Sequence, residues 1–168
     1  MPSARAKARF DLRVADEVWI ATALLHREHP ERDDFSIDEI VQRAAKESLA
    51  NGNRPGVYVH IVQHCVANRA PNPGRYRMLF ETAPGRRRLF RKGDPYHPAR
   101  EGAKTTPNRE DIPSGCLGLL SWYEGWSAER AKASSKQDPL LALANLGPSP
   151  WANEDPDEYI RRLREGWE

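Results

Sequence analysis

Arg54-Pro55-Gly56-Val57-Tyr58-Val59-His60-Ile61-Val62-Gln63-His64-Cys65-Val66-Ala67-Asn68-Arg69-Ala70-Pro71, with its continuation to Lys92, decides how this chain is read. Pro55 suits a first helical turn, where its missing N–H leaves no bond unmade, and Pro71 with Pro73 closes the segment after Asn68 and Arg69. The spacing predicts a helix of about four turns. At 100° per residue, Tyr58, Ile61, Val62 and Cys65 share one face, while His60, Gln63, His64 and Ala67 share the opposite one. The first face is expected to pack and the second to offer hydrogen-bonding groups to a partner.

Downstream, Tyr76–Thr82 and Arg86–Lys92 flank Ala83-Pro84-Gly85, the pattern of a two-stranded hairpin turned by Pro-Gly. Arg75, Arg77, Arg86, Arg87, Arg88, Arg91 and Lys92 accompany a single acid, Glu81. Cations at this density suit a phosphate backbone, although a charged strand edge also resists aggregation. With the polar helix face immediately upstream, the expected ligand is double-stranded DNA. The candidate contacts are His60, Gln63, His64, Asn68 and Arg69 on the helix, and Arg75, Arg86, Arg87, Arg88 and Lys92 on the ribbon. Gln63 has the geometry to pair bidentately with adenine, and the arginines suit phosphates.

Upstream, Val14–Arg27 carries Val14, Val18, Ala21, Thr22 and Leu25 on one stripe, broadened by Trp19, Ile20, Ala23 and Leu24, which predicts a heavily buried helix. Ser36 followed by Glu39 matches a capping box, with Phe35 and Ile40 as its hydrophobic staple. The second helix runs through Ile40, Val41, Ala44, Ala45 and Leu49 and is expected to stop at Asn51-Gly52-Asn53. Three helices followed by a hairpin resemble the winged helix-turn-helix fold, whose third helix enters the major groove and whose hairpin is the wing. The Val57–Ile61 and Cys65–Pro71 segments also look like a stretch found in uncharacterised bacterial winged-helix proteins. The fold class expected is α+β, mainly helical: a winged helix-turn-helix with an additional C-terminal helix and an extended tail.

The domain organisation expected is a basic arm over 1–13, the winged-helix unit over 14–93, a strap and docking helix over 94–133, and a linker and tail over 134–168. Residues 94–113 are rich in Pro, Gly, Arg and Thr and read as an irregular strap pinned by Tyr96 and His97. Leu119, Leu120, Trp122, Tyr123 and Trp126 predict a helix that either docks on the core or forms a homodimer interface. Ala133–Gln137 is small and polar, as a linker would be.

The chain has 168 residues, enough for one core, while its 14 prolines argue that not all of it is compact. Residues 1–109 hold 20 Lys and Arg against 13 Asp and Glu, whereas 110–168 hold 6 against 11, so a basic front meets an acidic back. The two cysteines lack metal or disulfide spacing. No apolar run approaches membrane-spanning length, so a cytoplasmic protein with no membrane partner is expected.

The tail continues with Asp138–Leu143 and Trp151–Trp167. These stretches resemble the C-terminal tails of bacterial antitoxins paired with PIN-domain ribonuclease toxins, departing from them at Gly147-Pro148-Ser149-Pro150. The resemblance implies a toxin-binding segment, with Leu140, Leu141, Leu143, Trp151, Tyr159, Ile160, Leu163 and Trp167 as apolar contacts, Arg161 and Arg164 among the partner-binding residues, and one of Arg161, Arg162 and Arg164 directed at the nuclease carboxylates. The expected function is an antitoxin-like transcriptional regulator; the alternative is a stand-alone DNA-binding protein whose tail completes its own fold or dimer.

Enzymatic readings find no support. His60 and His64 have the i, i+4 spacing of metal ligands, but Ile61 stands where a His-Glu-x-x-His protease needs its base. Asp94, Glu101 and Lys104 approximate a nuclease triad with one residue too many between Glu and Lys. Neither a phosphate loop nor a nucleophile elbow occurs, so no catalytic residue, metal or cofactor is expected.

Overall fold

The computed structural model describes residues 12–49 and 54–136. The chain divides into Met1–Ala131 and Lys132–Glu168, and of the second unit only the helical backbone of residues 132–136 is described.

The first unit is organised around α1 (Val14–Glu28), in which every residue from Ala15 to His26 is buried. A helix buried around its whole circumference must find partners for its polar side chains, and most of those on α1 do, each differently, while Trp19 Nε1, His26 Nδ1 and Asp16 Oδ2 stay buried without a hydrogen bond among the described residues. Thr22 donates to the Val18 carbonyl at 2.8 Å. Glu17 accepts from Arg54, Asp16 accepts from Lys104 at 3.1 Å, and His26 Nε2 accepts the Leu89 N–H at 3.3 Å. Leu12, assigned by sequence to the basic arm, belongs to this core as well and is 1% exposed.

Phe35–Ser36 forms β1, a strand that the sequence pattern did not reveal because it is two residues long and Ser36 already serves as a helix cap. The capping box is complete: Glu39 N–H donates to Ser36 Oγ at 3.2 Å, and Ser36 N–H donates to Glu39 Oε2 at 2.8 Å. Arg32 clamps the same carboxylate and helps hold it down to about 2. Helix α2 (Ile37–Glu47) buries Ile40 and Ala44 and ends on Ser48 at φ 49°, earlier than the Asn-Gly-Asn signal suggested.

Helix α3 is shorter than its sequence predicts. Four α-helical residues, Gly56–Val59, lead into a π-helical turn, His60–His64. The helix stops at Cys65 rather than Arg69 because the following backbone is taken by the hairpin. Met78 and Leu79 donate to the Cys65 carbonyl, Ala67 donates to that of Leu79, and Val66 bridges Leu79 in parallel.

The hairpin consists of β2 (Leu79–Ala83) and β3 (Arg86–Leu89), with Gly85 at φ 74° in its turn, where a side chain would be strained. β1 adds to the outside of β3, giving an antiparallel sheet in the order β1-β3-β2. The strap between the hairpin and the last helix contains short 3-10 turns at Pro98–Arg100, Arg109–Asp111 and Ser114–Cys116.

Helix α4 (Gly118–Lys136) lays Leu119, Tyr123 and Trp126 into the core. The Tyr123 ring meets Trp19 edge-on at 5.6 Å, and Trp126 lies 4.7 Å from His26. These aromatics therefore pack within the chain; each contributes on the order of 1.5–3 kcal/mol by burial. The helix continues through residues 133–136, where a linker was expected. The first unit is a small, mainly helical α+β domain with one antiparallel sheet. Among the described residues, no helix is long and apolar enough to cross a membrane.

Candidate nucleic-acid interface

The site is best built from the anchoring of α3. At its N-terminal end Arg54 donates to Glu17 Oε2 at 3.1 and 2.9 Å and to the Leu12 carbonyl at 2.6 Å, pinning the helix start to α1. Gly56 lies where an added Cβ would rest 3.6 Å from Val14, an ordinary contact. At the other end two buried arginines, Arg87 and Arg100, donate to the terminal carbonyls. Val57, Ile61 and Cys65 face the core.

Pro55, Tyr58 and Val59 are left facing solvent, with Val62 and Gln63 half-buried beside them. This corrects the sequence projection, which placed Tyr58 on the packed face. The π turn inserts extra backbone after Val59, so a constant 100° step no longer holds. Tyr58 is 55% and Val59 44% exposed, and they are the exposed large hydrophobics of the described chain.

The polar residues expected to read DNA are instead engaged with neighbouring backbone. His60 Nδ1 donates to the Gly56 carbonyl at 2.8 Å, and burial lowers its basicity. His64 packs edge-on against His60 at 4.8 Å and lies hard against Gly74, where an added Cβ would approach His64 Cβ to 2.7 Å. Gln63 Nε2 donates to the Ala70 carbonyl at 2.6 Å. The loop over residues 70–76 folds back along α3 and takes up these groups.

Most of the ribbon cations are neutralised inside the molecule. Glu81 accepts from Arg69 at 2.6 and 2.7 Å and from Arg87 at 3.0 Å, and the Arg69 guanidinium holds its carboxyl below the usual range. Asn68 exchanges two hydrogen bonds with the Glu81 backbone. Arg86 pairs with Asp34, and Arg88 forms a two-armed bond with Asp94 at 2.6 and 2.8 Å while lying 4.4 Å over the Phe80 ring. Arg87 is 1% exposed. Asp34, Glu81 and Asp94, from three different segments, thus converge on Arg86, Arg87 and Arg88, the arginines expected to track phosphates.

Arg75 and Lys92 remain exposed, with no side-chain partner among the described residues. Arg75 sits between Gly74, packed on His64, and Tyr76, whose N–H donates to the His64 carbonyl at 3.2 Å, so it stands beside the end of α3. Lys92 lies next to α4, its N–H donating to Ser127 Oγ at 3.0 Å. The strap pins anticipated at Tyr96 and His97 exist: Tyr96 stacks under Arg77 at 4.2 Å, and His97 N–H donates to the Ala67 carbonyl at 2.9 Å. The stronger pin is Arg100, which no sequence pattern marked.

Among the described residues, no group of His, Cys, Asp or Glu is placed to hold a metal ion. Comparison of the chain with family models, with curated proteins and with solved structures gives no match. The toxin-binding candidates Leu140, Leu141, Leu143, Trp151, Tyr159, Ile160, Arg161, Leu163, Arg164 and Trp167 lie outside the described residues.

Proposed function

We propose that this chain is a regulator of winged helix-turn-helix organisation that binds duplex DNA through the N-terminal half of α3. The order α1-β1-α2-α3-β2-β3, with β1 joining the hairpin, supports the winged-helix reading. The observation that carries it is the exposure of Tyr58 and Val59 on a helix anchored at both ends. Residues near the start of such a helix are the ones that meet base edges in the major groove. An apolar side chain there contacts the thymine methyl, and a tyrosine hydroxyl reaches a phosphate. Arg75 supplies a charge beside the same helix. The antitoxin element of the proposal, a toxin-binding tail from residue 138, rests on sequence resemblance alone.

The test is fluorescence anisotropy of the full chain with a pool of duplex sequences at low and moderate salt, followed by selection of bound sequences. Binding that collapses in the Tyr58→Ala, Val59→Ala double variant supports the reading. Failure to bind any duplex at low salt, or equal binding by the variant, rejects it.

A further inference from the structure

We infer that a cleft of about 830 Å³ bounded by the hairpin, the strap and α4 is a binding site for a nucleoside monophosphate whose base carries an exocyclic amine. Its volume lies within the range of about 300–1,000 Å³ typical of small-molecule sites. The site shares no residue with the exposed face of α3 and does not depend on the reading of that face.

Arg77 determines the ligand's charge. Its guanidinium is oriented by stacking on Tyr96 at 4.2 Å, and its Nε donates to the Ala103 carbonyl at 3.3 Å. No carboxylate among the described residues lies within ion-pairing distance of it, although Arg86, Arg87, Arg88 and Arg91 each have one. A planar fork held in place, hydrogen-bonded to the Tyr96 hydroxyl and paired with no carboxylate, can turn its remaining N–H groups to a phosphate. Lys92, exposed and without a side-chain partner among the described residues, adds a second positive charge to the same cleft. Asp94 also lines the cleft but does not oppose an anion, because its two oxygens already serve Arg88 and the Arg91 N–H.

The remaining wall sets the rest of the ligand. Phe90 and Tyr123 form an apolar, aromatic floor suited to a flat ring. Glu124, exposed and without a partner among the described residues, is an acceptor on the same lining, which favours cytosine, adenine or guanine over uracil and thymine. The same chemistry is offered by a free nucleotide and by one nucleotide of an unpaired strand.

Titration calorimetry of the full chain with cytidine, adenosine and uridine monophosphates, plus adenosine, tests the inference. The amine-bearing monophosphates should bind, with adenosine weaker by at least about tenfold for want of the phosphate. Arg77→Gln should weaken binding by a similar factor. Because Arg77 also stacks on Tyr96, Lys92→Ala and the cleft-filling Ala128→Trp provide variants at exposed positions, and both should lower affinity. No heat with any monophosphate, or full binding by Ala128→Trp, overturns the site. A single-stranded oligonucleotide that displaces the monophosphate identifies a nucleotide within a strand as the ligand; failure to displace it identifies the free nucleotide. Tyr58→Ala must leave monophosphate binding unchanged, and loss of binding in that variant overturns the assignment to this cleft.

Discussion

Arg87 and Arg100 divide the C-terminal carbonyls of α3 between them. Arg87 donates to Ile61 at 3.1 Å and, more distantly, to Val62 at 3.5 Å; Arg100 donates to Gln63 at 2.9 Å and His64 at 2.8 Å. A helix ends with carbonyls that have no intrahelical donor, and cations are favoured there by the helix dipole. Arg100 continues to Arg69, Ala70 and Tyr76, so one side chain fastens the helix end to the loop that folds back along it. The geometry of α3, and with it the exposure of Tyr58 and Val59, is thus fixed from outside the helix, by a strand and by the strap.

Arg100→Met should destabilise the domain by about 3 kcal/mol or more, since several buried carbonyls lose their donor at once. Arg100→Lys should recover little, because an ammonium group cannot span the same set of acceptors. Urea unfolding measures both. A loss below about 1 kcal/mol for the Met variant would mean that water or a shifted backbone replaces the side chain.

Arg75→Ala should lower the salt dependence of duplex binding by about one unit of slope and leave thermal stability unchanged. Arg87→Ala and Arg88→Ala should do the reverse, lowering stability because the first takes the buried donor from the Ile61 carbonyl and the second leaves Asp94 without its guanidinium. Salt titrations at matched folded fraction separate the two outcomes. A reduced slope in a folded Arg88 variant would show that this side chain leaves Asp94 to meet phosphate.

Gly74→Ala should cost about 1–3 kcal/mol, the range of an overpacked site. Its Cβ would fall 2.7 Å from His64 Cβ and 2.9 Å from His64 Cγ, so the loop or the helix must move. Pairing it with His64→Gly, which removes the opposing Cβ, should return part of the loss, and a thermal denaturation cycle of the two substitutions reads the coupling.

Stability should fall in mild acid because of His26. Its ring is 1% exposed, packed between Phe35 at 4.9 Å and Trp126 at 4.7 Å. Burial, reinforced by the charges of Arg91, Arg130 and Arg88, holds its pKa down to about 3 from the ordinary 6.5. The unfolded chain therefore binds a proton that the folded one refuses. The contribution is fully present above pH 6.5 and is lost as pH falls from 6.5 toward 3, by up to about 1.4 kcal/mol per pH unit. His26→Gln should flatten unfolding curves between pH 6.5 and 4.5, and an unaltered pH dependence would assign the acid response elsewhere.

The residues of α1, the capping box of Ser36 and Glu39 and the Pro84-Gly85 turn were legible in the sequence because each is a local matter, decided by periodicity, a three-residue spacing or a backbone angle. That α4 would be covered was legible for a related reason, since a cluster of Leu, Tyr and Trp has to be buried, but whether by the core or by a second copy was not. The fates of the arginines were not legible. Arg86, Arg87 and Arg88 read as a basic ribbon until the chain brings Asp34 and Glu81 beside two of them and turns back Asp94 onto the third. The length and facing of α3 were hidden as well, because they depend on β2 taking the backbone of residues 65–67 and on Arg100 arriving from far along the chain. Local pattern dictates which residues form an element, whereas pairing of a charge depends on distance in space, and only the tertiary fold brings those partners together.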